Sequence, residues 1–362
     1  MSAKLIIFLL FLHVTLGLST NKKTFENVEV QLFDVLRLSF KKTILRANSL
    51  KDEIPEQVTF DHVKFHEQVI PALKEGAIAD LKTLDELTIE NCHLKVIHPK
   101  AFKNLPMLRN LVLKDNELEE ILSDVFNGLP ISSLDISGNN IVYIESNALD
   151  NLPLLLNIIL DNNKLAEWDS RWFKNVPDLL RISVQNNSIT KLPARAFHNL
   201  KKTEPIADFD LSLIFSHNKI EKIDENAFEG IDKLRNLFLD HNELSEFSEN
   251  ILHGVEVTTL RLDYNKLDCL QGNLDKVLKG QKNHLDHNSF DCKCLKTLEN
   301  WAKKNQKNVD VFSMSLDCVH ENMRRTISNI HRSIDELRRK VGVAGKDAVT
   351  RAPEDQVEVL FK

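Results

Sequence analysis

The sequence predicts an α/β solenoid, in which short coils stack and each coil adds one strand to a parallel sheet on the concave face. The stretch LRNLFLDHNEL, which starts at Leu234, returns along the chain with its apolar residues and one asparagine at fixed places. Successive copies start 23 or 24 residues apart, except for one interval of 31 residues. Leucines at steps of three, two and five fit neither a helical nor an alternating period. The regularity therefore belongs to a longer repeated unit, which is typical of a solenoid.

The first residues predict secretion. One lysine is followed by an apolar run at residues 5–12 and then by small residues. This order is typical of a secretory signal peptide, so residues 1–17 are interpreted as one that is cut after Gly17. No later stretch reaches the roughly 18 apolar residues that a membrane span needs, and the apolar end of the chain is too short for a lipid-anchor signal. We expect a secreted, extracellular protein.

Residues 18–54 are predicted to cover the front edge of the stack. Val28, Val30 and Leu32 alternate as in a strand, whereas Leu32, Leu36 and Phe40 follow helical spacing, so both interpretations stay open. A degenerate coil comes next, and its inward residues are predicted to be Val58, Phe60, Val63 and Phe65.

Nine further copies complete the repeat region, which we place at residues 55–291. They start at Leu84, Leu108, Ile131, Leu155, Leu179, Asp210, Leu234, Val257 and Gly280. Positions one, four, six, eleven and fourteen of each copy are predicted to point inward. These five side chains and the Phe or Leu ten residues after position nine, at about 1.5–3 kcal/mol each, do not offset the ordering of one coil at about 1.5 kcal/mol per residue. The coils should therefore fold only in series.

An asparagine at position nine is predicted to turn inward and to bond backbone groups that the bend of the coil leaves unpaired. Leaving such a group buried and unsatisfied costs about 1–3 kcal/mol. The asparagines are Asn116, Asn139, Asn163, Asn187, Asn218, Asn242, Asn265 and Asn288. Cys92 takes this place in the first copy, where we expect a free, buried thiol.

The pattern LxxLxLxxN resembles the leucine-rich repeat. In the animal extracellular subclass a Phe or Leu comes ten residues after the asparagine, as do Phe126, Leu149, Phe173, Phe197, Phe228 and Leu252. The resemblance implies a leucine-rich-repeat horseshoe with a C-terminal cysteine cap.

Residues 292–319 resemble such a cap, but the fourth cysteine of the family pattern is missing after Cys318. Cys269 offers a replacement, because Cys269 and Cys292 both occupy position thirteen of adjacent coils, and equal positions stack about 5 Å apart. This stacking favours Cys269–Cys292 and Cys294–Cys318. The alternatives are the family pairing Cys292–Cys318, with Cys269 joined to Cys294, and a free or interchain thiol.

Residues 320–341 carry a heptad stripe on a charged helix. Its apolar residues are Met323, Ile327, Ile330, Ile334, Leu337 and Val341. Two interpretations stay open: an amphipathic helix that lies back on the cap, or pairing with a sister chain through Ile327, Ile330, Ile334 and Leu337. Residues 342–362 are predicted to be a disordered tail.

Composition and motifs narrow the functional class. A formal net charge of −6 argues against nucleic acid and anionic membranes as partners. We find no catalytic or metal-binding motif, so neither an enzyme nor a cofactor is predicted. Asn186 begins the sequon N-N-S and is a candidate glycosylation site.

The predicted partner site is the concave face, formed by positions two, three, five, seven and eight of each coil. Its middle carries apolar residues that the repeat does not need there, namely Leu156, Ile159, Leu180, Leu211, Ile214 and Phe238. Such a patch commonly marks an interaction site. The alternative is that the insertion at residues 203–209 or the N-terminal segment covers it.

Later coils add a second column to this face. It contains His217, Asp240, His241, Asp263, Tyr264, Asp286 and His287. Carboxylates and imidazoles on neighbouring strands suggest a metal site or an acid-triggered switch. An ordinary solvated polar ladder is the simpler interpretation.

The order of signal peptide, repeats, cysteine cap and heptad helix is similar to that of secreted leucine-rich-repeat immune proteins of mosquitoes and related insects. That resemblance implies a circulating factor that assembles with a sister chain and with complement-like thioester proteins. The alternatives are a cell-adhesion or matrix protein and a carrier of lipid or lipopolysaccharide.

Overall fold

The computed structural model describes residues 24–35, 41–54, 58–200, 210–310 and 316–340. The predicted signal peptide, the insertion at residues 203–209 and the tail at 342–362 lie outside the described residues. The chain divides into two compact units, one ending at Ser313 and the other beginning at Met314.

One 13-stranded sheet runs through the first unit. Its strands are β1 Val28–Asp34, β2 Lys41–Ala47, β3 His62–His66, β4 Glu86–Glu90, β5 Asn110–Val112, β6 Ser133–Asp135, β7 Asn157–Ile159, β8 Arg181–Ser183, β9 Leu211–Ile214, β10 Lys233–Phe238, β11 Glu256–Arg261, β12 Lys282–His284 and β13 Asn308–Asp310. From β3 onward every neighbouring pair is parallel. Each coil adds one strand, so the predicted solenoid is confirmed.

Short strands pair between coils away from the main sheet. They are Ala72–Leu73 with Val96–Ile97, Ile78–Ala79 with Phe102–Lys103, Glu120–Ile121 with Tyr143–Ile144, and Lys191–Leu192 with Lys222–Ile223. The described helices are α1 Leu50–Glu53, α2 Leu274–Val277, α3 Cys292–Asn305 and α4 Leu316–Lys340, with a 3-10 turn at His198–Leu200. No helix in the described part of the chain combines the length and apolar composition of a membrane span.

The core of the stack is formed by the inward positions of the repeat. Leu111, Leu134 and Leu237 at position four are fully buried, and so is the Phe or Leu ten residues after the asparagine. These side chains meet their counterparts in the coils on either side; the Phe197 and Phe228 rings, for example, stack with centroids 5.2 Å apart. Aromatic pairs at this separation add to the burial energy, which supports folding in series.

The position-nine asparagines form the predicted inward ladder. Asn163 is representative: its Oδ1 accepts from the Ile141 amide at 3.0 Å, and its Nδ2 donates to the Ile136 and Leu160 carbonyls at 3.1 and 3.0 Å. One side chain thus satisfies buried backbone groups of two coils. In the first coil Cys92 is a free, buried cysteine, as predicted. Burial raises the pKa of its thiol, which keeps the sulfur protonated and unreactive.

The N-terminal segment covers the first coil as a pair of antiparallel strands. β1 alternates, with Val28, Val30 and Leu32 buried, and it pairs with β2 on one side and with β3 on the other. The alternating interpretation is therefore correct for residues 28–34; Leu36 and Phe40 lie outside the described residues. β3 pairs parallel with β4 and buries Val63 and Phe65, whereas Val58 and Phe60 are half-buried.

The cap corrects the favoured cysteine pairing. Cys269 is bonded to Cys294, with the Cα atoms 5.6 Å apart, so Cys269–Cys292 and Cys294–Cys318 do not form. Cys292 and Cys318 are each disulfide-bonded as well, so neither is a free thiol. The physical reason lies in the start of α3 at Cys292: its N-terminal cap Asp291 accepts a hydrogen bond from the Cys294 amide at 2.6 Å. The chain has left the strand register there, so the predicted stacking at position thirteen no longer applies.

The second unit contains α4, which begins at Leu316, four residues before the predicted start. Cys318 therefore lies inside the helix. The predicted stripe is exposed, with Ile327, Ile330, Ile334 and Leu337 each 40–59% accessible. Val341, the last residue of the predicted stripe, lies outside the described residues.

Candidate functional site

The concave face carries the candidate site, because the outward residues of the main sheet are aligned coil by coil. Position five gives an aligned row that includes Ile159, Ser183, Ile214, Phe238 and Arg261. The row is interrupted, since Ser183 lies between Ile159 and Ile214 and donates to Asp161 Oδ1 at 2.7 Å. The predicted apolar patch is therefore divided between two groups of coils.

Four of the six predicted apolar residues are partly accessible. Leu156, Ile159, Leu180 and Phe238 are half-buried. Leu156 and Leu180 are neighbours at position two, since the Leu180 amide donates to the Leu156 carbonyl at 2.8 Å. These four side chains are the accessible apolar part of the site.

Leu211 and Ile214 do not offer an open surface, contrary to the prediction, because they are only 4% and 6% exposed. Leu211 is aligned with Leu234, an inward residue, and a register shift follows before Ser212 pairs with Asn236. The irregular strand thus gives Leu211 the inward place that the sequence pattern assigned to Asp210. Ile214 lies in the outward row but is covered.

Charged groups surround Phe238. The guanidinium of Arg261 lies over its ring, 5.4 Å from the centroid, and donates to Asp263 Oδ2 at 2.9 Å. This hydrogen bond raises the pKa of Arg261, so the cation over the ring is permanent. The same guanidinium lies 3.6 Å from Asp240. One face of the Phe238 ring is therefore covered by the Arg261 guanidinium, whose positive charge is permanent.

Asp240 and Asp263 are buried beneath the concave surface and bond the residues that form it. They are 2% and 6% exposed, so they cannot make the direct contacts that the sequence predicted for them. Asp240 Oδ1 accepts from Ser216 Oγ at 2.7 Å, and its Oδ2 lies 3.1 Å from His241 Nδ1. Their carboxylates hold Arg261 and His241 in place.

Four rings stack along the edge where the strands end. His217, His241, Tyr264 and His287 occupy position eight of successive coils, with centroid separations of 4.0, 4.1 and 4.0 Å. All four have a positive φ between 52° and 56°. Each ring covers the face of the next, so a partner would meet this stack at the ring edges, which bear the polar nitrogen and hydroxyl groups. We call these four residues the ring column.

A metal ion fits this column poorly. His217, Asp240 and His241 each place one potential ligand atom within 4.8 Å of the others. The two imidazoles are stacked at an angle of 26°, however, so their in-plane lone pairs run alongside each other and do not converge. Asp240 is already bonded to Ser216 and lies beside Arg261, whose charge opposes a cation. The geometry favours a polar ladder, while the acid-triggered switch stays a prediction.

The front of the concave face is ionic, a feature that the sequence reasoning missed. Glu90 accepts from Lys64 at 3.0 Å and lies 3.3 Å from Lys114. The hydrogen bond from Lys64 lowers the pKa of Glu90 despite its partial burial. The available signal was the pair Glu90 and Lys114, which have opposite charges at position seven of adjacent coils.

The sequon asparagine also lies in the position-eight alignment. Asn186 is exposed and its Nδ2 donates to Asn162 Oδ1 at 2.9 Å. Its amide donates to the Ser216 carbonyl, directly before His217. A glycan on Asn186, which stays a prediction, would begin next to the ring column.

Comparisons with known proteins agree with the repeat. A model of the BspA type leucine rich repeat region matches residues 73–204 in six copies, and a second leucine rich repeat model matches residues 212–267. A search of curated proteins finds no match.

Solved structures with this fold include two complexes. The Drosophila Toll–Spatzle complex has a TM-score of 0.54 and 19% identity, over 63% of this chain and 31% of that chain. The mouse RP105/MD-1 complex has a TM-score of 0.55 and 22% identity, over 66% of this chain and 40% of that chain. The chain spans less than half the length of these two solved chains. The repeats, the parallel sheet and these matches identify the chain as a leucine-rich-repeat solenoid.

Proposed function

We propose that this protein is a secreted, non-enzymatic binding scaffold that captures a protein partner on its concave face, in innate immune recognition of the complement-like type. The observation that carries the proposal is the accessible apolar group at positions where the repeat needs no apolar residue. That group contains Leu156, Ile159, Leu180 and Phe238. Partly exposed apolar side chains on a rigid sheet are typical of a protein interface.

The ring column extends this contact surface along one edge. Tyr264 is 43% exposed and His241 is half-buried, so both can contact a partner bound over Phe238. Tyrosine combines a large contact area with a hydroxyl, which is why it is frequent at interfaces. Asp240 and Asp263 act indirectly, by fixing His241 and Arg261.

The cellular setting is inferred from two features. Disulfides persist in oxidising compartments, so the cap supports an extracellular location. The apolar run that opens the sequence supports secretion.

The immune role rests on analogy. Similar folds occur in complexes of Toll with Spatzle, described as a hub in development and innate immunity, and of RP105 with MD-1. A shared fold alone does not specify a ligand, so the partner must be identified by experiment.

The exposed stripe of α4 supports assembly with a sister chain. Its large apolar residues recur at steps of three and four, the spacing that forms a coiled-coil seam. In an Ile330→Asp/Ile334→Asp variant we expect loss of the sister chain, measured as a lower mass by light scattering. An Arg332→Gln variant, off the stripe, should keep it. Equal masses for both variants would reject the pairing.

The concave site is tested by capture from extracellular fluid. Immobilised full-length protein should retain a specific partner, identified by mass spectrometry, that Phe238→Asp and Leu180→Asp variants lose by tenfold or more. Val142→Asp is the matched control, because Val142 is 58% exposed and lies outside the main sheet. If both site variants retain the partner as well as the control does, the partner does not bind the concave apolar group.

A further inference from the structure

A second candidate site lies beside the cap, at the opposite ends of the strands from the ring column. A cleft of about 690 Å³ opens where β10 and β11 begin, and α3 forms one of its walls. Its lining includes Thr258, Lys279, Gln281, Trp301, Asn305 and Lys307. Small-molecule sites commonly occupy about 300–1,000 Å³, so the cleft can hold a ligand of one to three sugar units.

Trp301 gives the cleft a fixed aromatic wall. Its indole N–H donates to Asp275 Oδ1 at 2.8 Å, which ties α3 to α2 and sets the orientation of the ring. Trp301 is half-buried, whereas Trp168 and Trp172 are only 6% and 4% exposed in the core. The exposed part of a fixed indole is a surface on which a flat, weakly polar ligand face can pack.

Two ammonium groups in the cleft have no carboxylate partner in the described part of the chain. Lys279 Nζ donates to the Val255 and Leu252 carbonyls at 3.3 and 3.5 Å, and Lys307 Nζ donates to the Gly280 carbonyl at 3.4 Å. These bonds are longer than the usual 2.7–3.2 Å. Among the described residues neither lysine forms an ion pair. Both can therefore still bond strongly to an anionic oxygen.

The charge of the lining limits the ligand. Three lysines and two carboxylates line the cleft, so its net charge is only one positive. Asp210, outside the lining, offsets the charge of Lys233 at 3.1 Å, whereas Asp275 keeps its charge while it accepts from Trp301, so the lining as a whole is close to neutral. A polyanion such as nucleic acid would need a longer basic surface. The neutral polar groups of Thr258, Gln281 and Asn305 instead suit hydroxyl groups.

We propose that this cleft binds an acidic saccharide, in which one carboxylate-bearing sugar meets Lys279 and Lys307 and a neighbouring sugar packs on Trp301. The amides and the hydroxyl of the lining bond the sugar hydroxyl groups. This site is separate from the concave face, so the scaffold would recognise a protein partner and a glycan at different places.

The test uses the full-length disulfide-bonded protein with sialyllactose as probe and lactose as the neutral match. Titration is followed by tryptophan emission and by calorimetry. We expect sialyllactose to bind with a Kd at least tenfold below that of lactose, and the emission change to be absent in a Trp301→Phe variant, which keeps the buried tryptophans. Lys307→Gln and Lys279→Gln should each weaken binding tenfold or more. Lys304→Gln, exposed on α3 and outside the cleft, should bind as the wild type does.

Three outcomes would overturn the proposal. They are no binding of sialyllactose, binding that both lysine variants retain, and tighter binding of a glutamate hexapeptide than of sialyllactose. Thermal melting of each variant establishes that it is folded. The concave-face variant Phe238→Asp should bind sialyllactose normally, which distinguishes failure of this site from failure of the protein-binding site.

Discussion

The front and rear halves of the solenoid share an inner core and differ at position eight. In both halves this position has a left-handed backbone. The front coils fill it with Asn91, Asp115, Gly138, Asn162 and Asn186, which are residue types that tolerate positive φ. The rear coils fill it with His217, His241, Tyr264 and His287.

The backbone explains the rear choice only in part, because histidine is also enriched at positive φ, whereas tyrosine is not. A left-handed conformation costs most non-glycine residues about 1–2 kcal/mol, and asparagine and aspartate partly escape that cost. Stacking between rings returns about 0.5–1.5 kcal/mol per pair, so the three stacked pairs offset only part of the backbone cost of the ring column. Residues that are strained and yet not needed for the core tend to serve binding. The contrast therefore supports the proposal that the contact surface extends from the accessible apolar residues Leu156, Ile159, Leu180 and Phe238 along the rear coils.

The largest expected effect concerns the inner ladder that both halves share. Asn163→Ala in the front and Asn242→Ala in the rear should each lower the free energy of unfolding by about 3 kcal/mol or more, because each leaves several buried backbone groups unpaired. The side chain of Asn242 bonds the Ile220 amide at 2.9 Å and the Phe215 and Leu239 carbonyls at 2.9 and 3.0 Å. Chemical denaturation measures both. The control is Asn140→Ala, because Asn140 directly follows Asn139 and its side chain is not part of the inward asparagine ladder. A clearly smaller loss in one half would show that the two halves do not share the same core.

The sequence predicted the fold well because the inward positions obey one rule in every coil. The inward asparagines at position nine and the parallel strands followed from period and polarity, and the late Phe or Leu followed from the resemblance to the leucine-rich repeat. The misassigned residues occur where that period is interrupted. The 31-residue step precedes β9, where Leu211 moves inward, and the start of α3 ends the register on which the cysteine pairing relied.

The site was only partly predictable, for a different physical reason. Periodicity states which way a side chain points but not whether a neighbour covers it. Ile214 and Asp240 point toward the concave face and are nevertheless covered. The cleft beside Trp301 is lined by residues from β11, α2 and α3. Packing of the cap brings these residues together, so their spacing in the sequence could not predict the cleft.

A second prediction concerns the last coil of the rear half. Asn283 replaces the usual leucine at position four; it is 1% exposed and its buried Oδ1 has no hydrogen-bond partner among the described residues. Asn283→Leu should therefore raise the free energy of unfolding by about 1–2 kcal/mol, since it removes an unsatisfied group and adds apolar burial. The reverse change in the preceding coil, Leu260→Asn, should lower stability by a larger amount. Thermal and urea denaturation compare the two. If Asn283→Leu lowers stability, the last coil relies on a polar contact that the regular coils lack.

The smallest effect on stability, and the sharpest test of the comparison, comes from exchanging position-eight residues between the halves. Asn162→Tyr should cost about 1 kcal/mol, because the front has no ring on either side to stack with the new side chain. Tyr264→Asn lowers the strain of the left-handed backbone but removes two ring stacks, with His241 at 4.1 Å and His287 at 4.0 Å. Its net effect on the melting temperature should therefore be close to zero. Partner capture should nevertheless fall at least tenfold in Tyr264→Asn and stay unchanged in Asn162→Tyr. If Tyr264→Asn unfolds the chain while its remaining folded fraction captures the partner normally, the rings serve folding, and recognition must lie elsewhere on the concave face.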